Sequence, residues 1–215
     1  MNLLTHLGLG DHLITYGLVR ELEQRYGEIN LFCKEVNYLS LQSMYKNTNV
    51  KLTVVKDEQQ AFDIMAADPF NSLKLGYNSA QETELNFGEA FYKQANVDFE
   101  CRNKYKIGFN INQIIYFPAT MPKDLNDYLF VHDTEDFRVA TDRLKSCFRP
   151  NQKAYPDITQ YLHVIEAAKE VHVIESSFKQ LIEFLNPKGK LFLHKFENKS
   201  FRVVSSRHEW TIINH

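Results

Sequence analysis

The sequence predicts an α/β fold made of two small Rossmann-like βαβ domains, residues 1–122 and 123–215, facing a cleft. Three observations carry this expectation. Short apolar runs alternate with helix-period stretches at both ends of the chain, and the connections are short, which implies parallel strands and right-handed crossovers. The centre of the chain interrupts that alternation. And 215 residues, 44% of them apolar, can bury a core without disulfide staples.

The elements follow in order. Residues 2–7 read as a buried strand. Gly8-Leu9-Gly10 and Asp11-His12 come next, and Leu13, Ile14, Leu18, Val19 and Leu22 recur at helical spacing across 11–26. Gly27 suits the helix C-terminus. Residues 29–33 are a second strand, 38–45 a helix, 50–55 a third strand and 58–67 a third helix. Asp68-Pro69 and Gly76 punctuate the irregular centre. Residues 87–95 carry Phe87, Ala90, Phe91 and Ala95 on one helical face, 96–112 show no period, and Pro118 to Pro122 read as a linker.

Alternation then resumes. Residues 127–132 (DYLFVH) are a strand, and 139–146 a short helix or strand. Pro156 suits the first turn of a helix over 158–168. Residues 170–174 are a strand, 178–185 a helix stopped by Asn186-Pro187-Lys188-Gly189, and 191–196 a last strand. A polar tail with the only tryptophan, Trp210, follows.

Bulk chemistry narrows the function classes. A net charge of −2 gives no electrostatic reason to expect nucleic acid or an anionic membrane. The three cysteines (Cys33, Cys101, Cys147) form no CxxC, so neither a zinc site nor a disulfide framework is indicated, and a reducing compartment is the simple reading. No run approaches the ~20 apolar residues that span a bilayer. The expectation is a soluble, cytoplasmic chain whose oligomeric state is not legible.

Three stretches could carry chemistry. The first is Gly8-Leu9-Gly10-Asp11. It lacks the third glycine of a dinucleotide fingerprint, because Leu13 stands there. Either the glycines let the chain reverse with positive φ and Asp11 caps its helix, or they let a ligand approach while Asp11 acts as a general base. The second is Glu175-Ser176-Ser177, between a strand and a helix. The helix N–H groups and the two hydroxyls could hold a phosphate or pyrophosphate; the plain alternative is a serine N-cap beside a solvated glutamate. The third is His132-Asp133 with Arg138, just past a strand; Arg binds phosphate bidentately. All three fall at carboxyl ends of expected strands, where doubly wound sheets bind ligands.

Other patterns point away from rival chemistries. His163, His172 and His194 show no HExxH or other ligand spacing and read as structural. Phe87, Phe91, Tyr92, Phe99 and Tyr105 read as core packing. No GxSxG elbow or DxD triplet occurs, so no metal site is expected.

The stretch GLGDHLI resembles the first glycine-rich turn of GT-B-fold glycosyltransferases, above all the heptosyltransferases, whose loop reads S-L-G-D. VIESSFKQLIEFL resembles their second-domain motif D-T-G-x-x-H-L, with Glu for Asp, Ser for Gly and Gln180 at the histidine. The resemblance implies a compact, metal-independent glycosyltransferase of glycan biosynthesis, inverting, with a nucleotide-diphosphate sugar as donor and no other cofactor. It implies that Asp11, or His12, activates the acceptor hydroxyl, with Gly8 on the acceptor side. Gly10, His132, Arg138, Glu175, Ser176 and Ser177 would serve the donor. Two other readings stay open: a nucleotide- or sugar-binding module of the same fold without catalysis, and a Rossmann-type oxidoreductase binding NAD(P) at Gly8–Gly10.

Overall fold

Strand β1, Asn2–Leu4, is shorter than the apolar run that predicts it. The computed structural model describes residues 1–77, 86–107, 127–140, 146–197 and 206–215. In it the chain leaves the sheet after Leu4, and Leu7 is apolar for a different reason. It is buried against Leu4, Phe32, Val55, Ala61 and Met65 in the core of the first unit.

The described residues form two compact units, one within 1–107 and one within 127–215. The expected boundary at 122 and the Pro118–Pro122 linker lie outside the described residues.

The first unit contains β1, α1 (Leu9–Ile14), α2 (Tyr16–Tyr26), β2 (Ile29–Cys33), α3 (Tyr38–Met44), β3 (Val50–Val54), α4 (Glu58–Ala67), β4 (Ser72–Lys74) and α5 (Phe87–Gln94). Its sheet has the order β3-β2-β1-β4, all parallel. The single helix expected over 11–26 is two. It starts at Leu9 and breaks at Thr15, whose hydroxyl donates to the Asp11 carbonyl at 2.8 Å. Such back-bonding bends helices. Gly27 ends α2 with φ 79, as expected. Strand β4 went unread because its three residues carry one apolar side chain.

The second unit contains β5 (Leu129–His132), β6 (Cys147–Phe148), α6 (Leu162–Ala167), β7 (Glu170–Ile174), α7 (Ser177–Ile182), β8 (Lys190–Lys195) and β9 (Thr211–Asn214). Its sheet, β6-β5-β7-β8-β9, is also parallel throughout. Phe130, Phe148, Tyr161 and Phe178 pack as a buried aromatic group, with Phe178 5.5 Å from both the Phe130 and Tyr161 rings. The helix expected over 158–168 begins as a 3-10 turn, Ile158–Tyr161. The polar tail is corrected to a strand: Thr211–Asn214 pairs with β8 at the sheet edge. The expected element over 139–146 extends into residues outside those described.

Each sheet has one topological switch point. In the first unit it lies between β1 and β4, because the chain moves from β1 to β2 and β3 on one side and returns to β4 on the other. In the second it lies between β5 and β7, with β6 on the far side of β5. Loops leaving the two strands diverge there and open a crevice at their carboxyl ends.

Candidate functional site

The β1–β4 switch point gathers His6, Gly8, Asp11, Gly76 and Tyr77. Gly8 is the N-cap of α1 with φ −78 and ψ 141, and neither Gly8 nor Gly10 has positive φ. The expected left-handed reversal is therefore corrected. Gly8 is small for another reason: a Cβ there would lie 2.5 Å from Asp11 Oδ2. The Asp11 carboxylate lies over the Gly8 backbone, and its side chain is 19% exposed. No side-chain cap bond forms at Gly8, and Gly10 sits in the first turn of α1.

His6 was not singled out by sequence, and its ring faces the Asp11 carboxylate. Its Nδ1 is 4.0 Å from Asp11 Oδ1. Its Nε2 bonds the Gly76 carbonyl at 2.7 Å. Gly76 holds φ 85, and a Cβ there would meet Phe91 at 2.5 Å and His6 Nε2 at 2.8 Å. The rings of Tyr77, Phe91 and Phe87 surround His6 at 5.0, 5.3 and 5.7 Å. Burial, then the charges of Glu58 and Asp11, hold the Tyr77 hydroxyl above its ordinary range. The one signal for His6 was its place two residues before Gly8.

His12, the second catalytic candidate, is corrected. It is completely buried on the inner face of α1, with neither ring nitrogen hydrogen-bonded among the described residues. Burial lowers its pKa to about 4. A ring with no exposed surface does not meet an acceptor hydroxyl.

The β5–β7 switch point carries the second site. A pocket of about 450 Å³ opens there, lined among others by His132, Asp133, Arg138, Arg149, Asn151 and Lys153. Asp133, its side chain only 4% exposed, organises the wall. It accepts from the Val139 N–H at 2.9 Å and from Arg138 Nη1 at 3.4 Å, and it pairs with Arg149 Nη1. Arg149 also donates to the Val139 carbonyl at 3.2 Å. Three cations (Arg138, Arg149, Lys153) thus stand against two carboxylates (Asp133, Glu135) in the lining. Such a wall favours an anion. Arg149 and Lys153 escaped sequence reading because β6, which delivers them, has only two residues.

The Glu175-Ser176-Ser177 expectation is corrected in part. These residues sit beside the pocket rather than in its lining. The Ser176 hydroxyl donates to the Ile174 carbonyl at 3.1 Å, so it neither caps α7 nor offers its hydrogen to a ligand. Having one hydrogen, it accepts from His132 Nδ1–H at 3.2 Å and orients that ring, which packs 4.3 Å from Phe178. Glu175 accepts from Gln180 Nε2 at 2.8 Å instead of standing solvated. Ser177 opens α7, which has six residues and supplies little dipole.

Of the three histidines read as structural, His163 is exposed on α6, and His172 and His194 are buried and linked to each other and to the exposed His215. His172 Nδ1 and His194 Nε2 are 3.0 Å apart, and His194 Nδ1 and His215 Nε2 2.8 Å apart. Among the described residues no group of three or more His, Cys, Asp or Glu is arranged to hold a metal. No helix there is long and apolar enough to cross a membrane.

Both switch points now have geometry, and solved structures can be set beside them. The E. coli ADP-heptose lps heptosyltransferase II matches with a TM-score of 0.64 at 10% identity, over 99% of this chain and 89% of that one. The chain has a heptosyltransferase fold. E. coli heptosyltransferase WaaC, solved with ADP, matches with a TM-score of 0.51 at 10% identity, over 100% of this chain and 91% of that one. No protein family and no curated protein matches the chain by sequence. The expectation drawn from GLGD and ESSF, that the chain takes the heptosyltransferase-like α/β fold, is met.

Proposed function

We propose that this protein is an inverting glycosyltransferase that moves a sugar from a nucleotide-diphosphate sugar to a hydroxyl of a glycan acceptor. The observation that carries the reading is the pocket at the β5–β7 switch point, with Arg138, Arg149 and Lys153 in its wall. A diphosphate leaving group develops negative charge as its bond to the sugar breaks, and preorganised cations stabilise that charge without reorganising. His132, oriented by Ser176, stands in the same wall. The acceptor side is assigned to Gly8 and Asp11. Asp11 takes the hydroxyl proton as the acceptor oxygen attacks the anomeric carbon. With cations filling the role a metal plays elsewhere, transfer is expected to survive chelation by EDTA; rates that fall on chelation and return with added magnesium would contradict this.

The neighbours' names make ADP-heptose the first donor to try. Calorimetric titration should show ADP-heptose and ADP binding to the wild-type chain, with NAD(P) showing no heat. Binding of NAD(P) in place of nucleotide sugars would overturn the reading in favour of an oxidoreductase. The Glu175–Gln180 bond favours a second reading, a nucleotide-sugar-binding module without transfer, because it ties up the acid of the second motif. Donor binding without product across a panel of glycan acceptors is the outcome that module predicts.

A further inference from the structure

The ring of His6 is held in one tautomer by a group that cannot change. The Gly76 carbonyl only accepts, so Nε2 carries hydrogen whatever the protonation state of the ring. That leaves Nδ1 as the nitrogen that gains or loses a proton, and Nδ1 faces Asp11 Oδ1 at 4.0 Å. With both groups deprotonated, a lone pair and a carboxylate oxygen oppose each other. One proton on the pair turns that opposition into attraction between opposite charges.

The surroundings keep the pair together. The other rings against His6 are Tyr77, and Phe87 and Phe91 from α5; the two phenylalanines carry no charge. Behind Tyr77 lie Glu58 of α4 and the Lys74 ammonium, 5.6 Å from the Tyr77 ring centroid. Gln94 Oε1 accepts from the Gly76 N–H at 2.8 Å and so anchors the residue whose carbonyl holds His6. Gly76 at φ 85, with no room for a Cβ, is the residue that permits this approach.

We propose that His6 is the positioning residue of Asp11, and that the two act as one proton-holding pair. The inference rests on the reading of Asp11 as the base. The acceptor O–H bond breaks and its electrons form the new bond to the anomeric carbon. The bond from that carbon to the diphosphate breaks, and its electrons leave with the phosphate. The proton passes to Asp11, which His6 faces through Nδ1 at 4.0 Å, and is then lost to water. The pair must enter the reaction unprotonated.

The test uses ADP-heptose as donor and lipopolysaccharide acceptor, with three chains: wild type, His6→Gln and Asp11→Asn. His6→Gln keeps an N–H for the Gly76 carbonyl but does not titrate. In the wild type, kcat should rise with pH as the pair loses its proton. In His6→Gln, kcat should fall about tenfold or more at its plateau, with donor KM unchanged and the shape of the pH profile altered. Superimposable wild-type and His6→Gln profiles, with Asp11→Asn inactive, would overturn the pairing and leave the base reading standing. Full turnover by Asp11→Asn would overturn both. A readout independent of turnover and of either reading is the NMR titration of the His6 ring in wild type and Asp11→Asn. The expected result is a titration curve altered by the substitution; identical curves overturn the pairing.

Discussion

At the scale of single residues, Gly8 and Asp11 behave as one feature. The missing Cβ of Gly8 leaves the space that the Asp11 carboxylate occupies. Its φ of −78 is one an alanine adopts freely, so Gly8→Ala carries little backbone cost. The substitution should displace the carboxylate and cut transfer about tenfold or more, with a melting temperature within a few degrees of wild type; unchanged kcat would show that the carboxylate's position is not what the glycine protects. The buried histidines report at the same scale. His12 and His194 have their pKa lowered from 6.5 to about 4, in both cases first by burial. The unfolded chain therefore binds more protons than the folded one between these values, and stability falls as pH drops from 6.5 towards 4. Urea midpoints measured across this range should decrease steadily, and His12→Leu, which removes one of the two groups, should flatten the curve. A midpoint independent of pH would contradict the assignment. Sequence marked Asp11 because acid after glycine is a visible pattern. It could not mark His6, whose partner Gly76 is 70 residues away along the chain.

At the scale of elements, the long periodic segments were legible and the short ones were not. Ile29–Cys33, Glu58–Ala67 and Glu170–Ile174 have the bounds their apolar patterns indicate. β4, β6 and β9 have three, two and four residues, too few to show a period, and are held as strands by pairing with a neighbour. This mattered for the site, because β6 is what brings Arg149 to the pocket. In the second motif the Ser176 hydroxyl and the Glu175 acid are engaged by local bonds to Ile174 and Gln180, which no spacing rule foresees. Helix α7 is short, and Phe178 anchors it, fully buried among Phe130 and Tyr161 and against the His132 ring. Phe178→Ala should cost about 3–5 kcal/mol in chemical denaturation and weaken donor binding through a misplaced His132. A loss below about 1 kcal/mol would show that the aromatic group does not hold this corner. Arg149→Ala removes a cation from the wall and one partner of a buried carboxylate; donor KM should rise more than Arg138→Ala raises it, since Arg138 is 59% exposed and Arg149 31%.

At the scale of the whole molecule, the fold was legible because it depends on alternation and burial, properties that persist when identity with the solved heptosyltransferases has dropped to 10%. Both parallel sheets carry their candidate chemistry at a switch point, Asp11 and His6 at β1–β4 and His132 and Arg149 at β5–β7. That shared placement follows from topology: a crevice opens where consecutive connections diverge, whatever side chains line it. The direct measurement is a pair of numbers on Asp11→Asn, its dissociation constant for ADP-heptose by calorimetry and its rate of sugar transfer in single turnover. Donor affinity should stay within about twofold of wild type, and transfer should fall at least about a hundredfold, the scale of a lost general base. Transfer at the wild-type rate by this variant would contradict the base assignment.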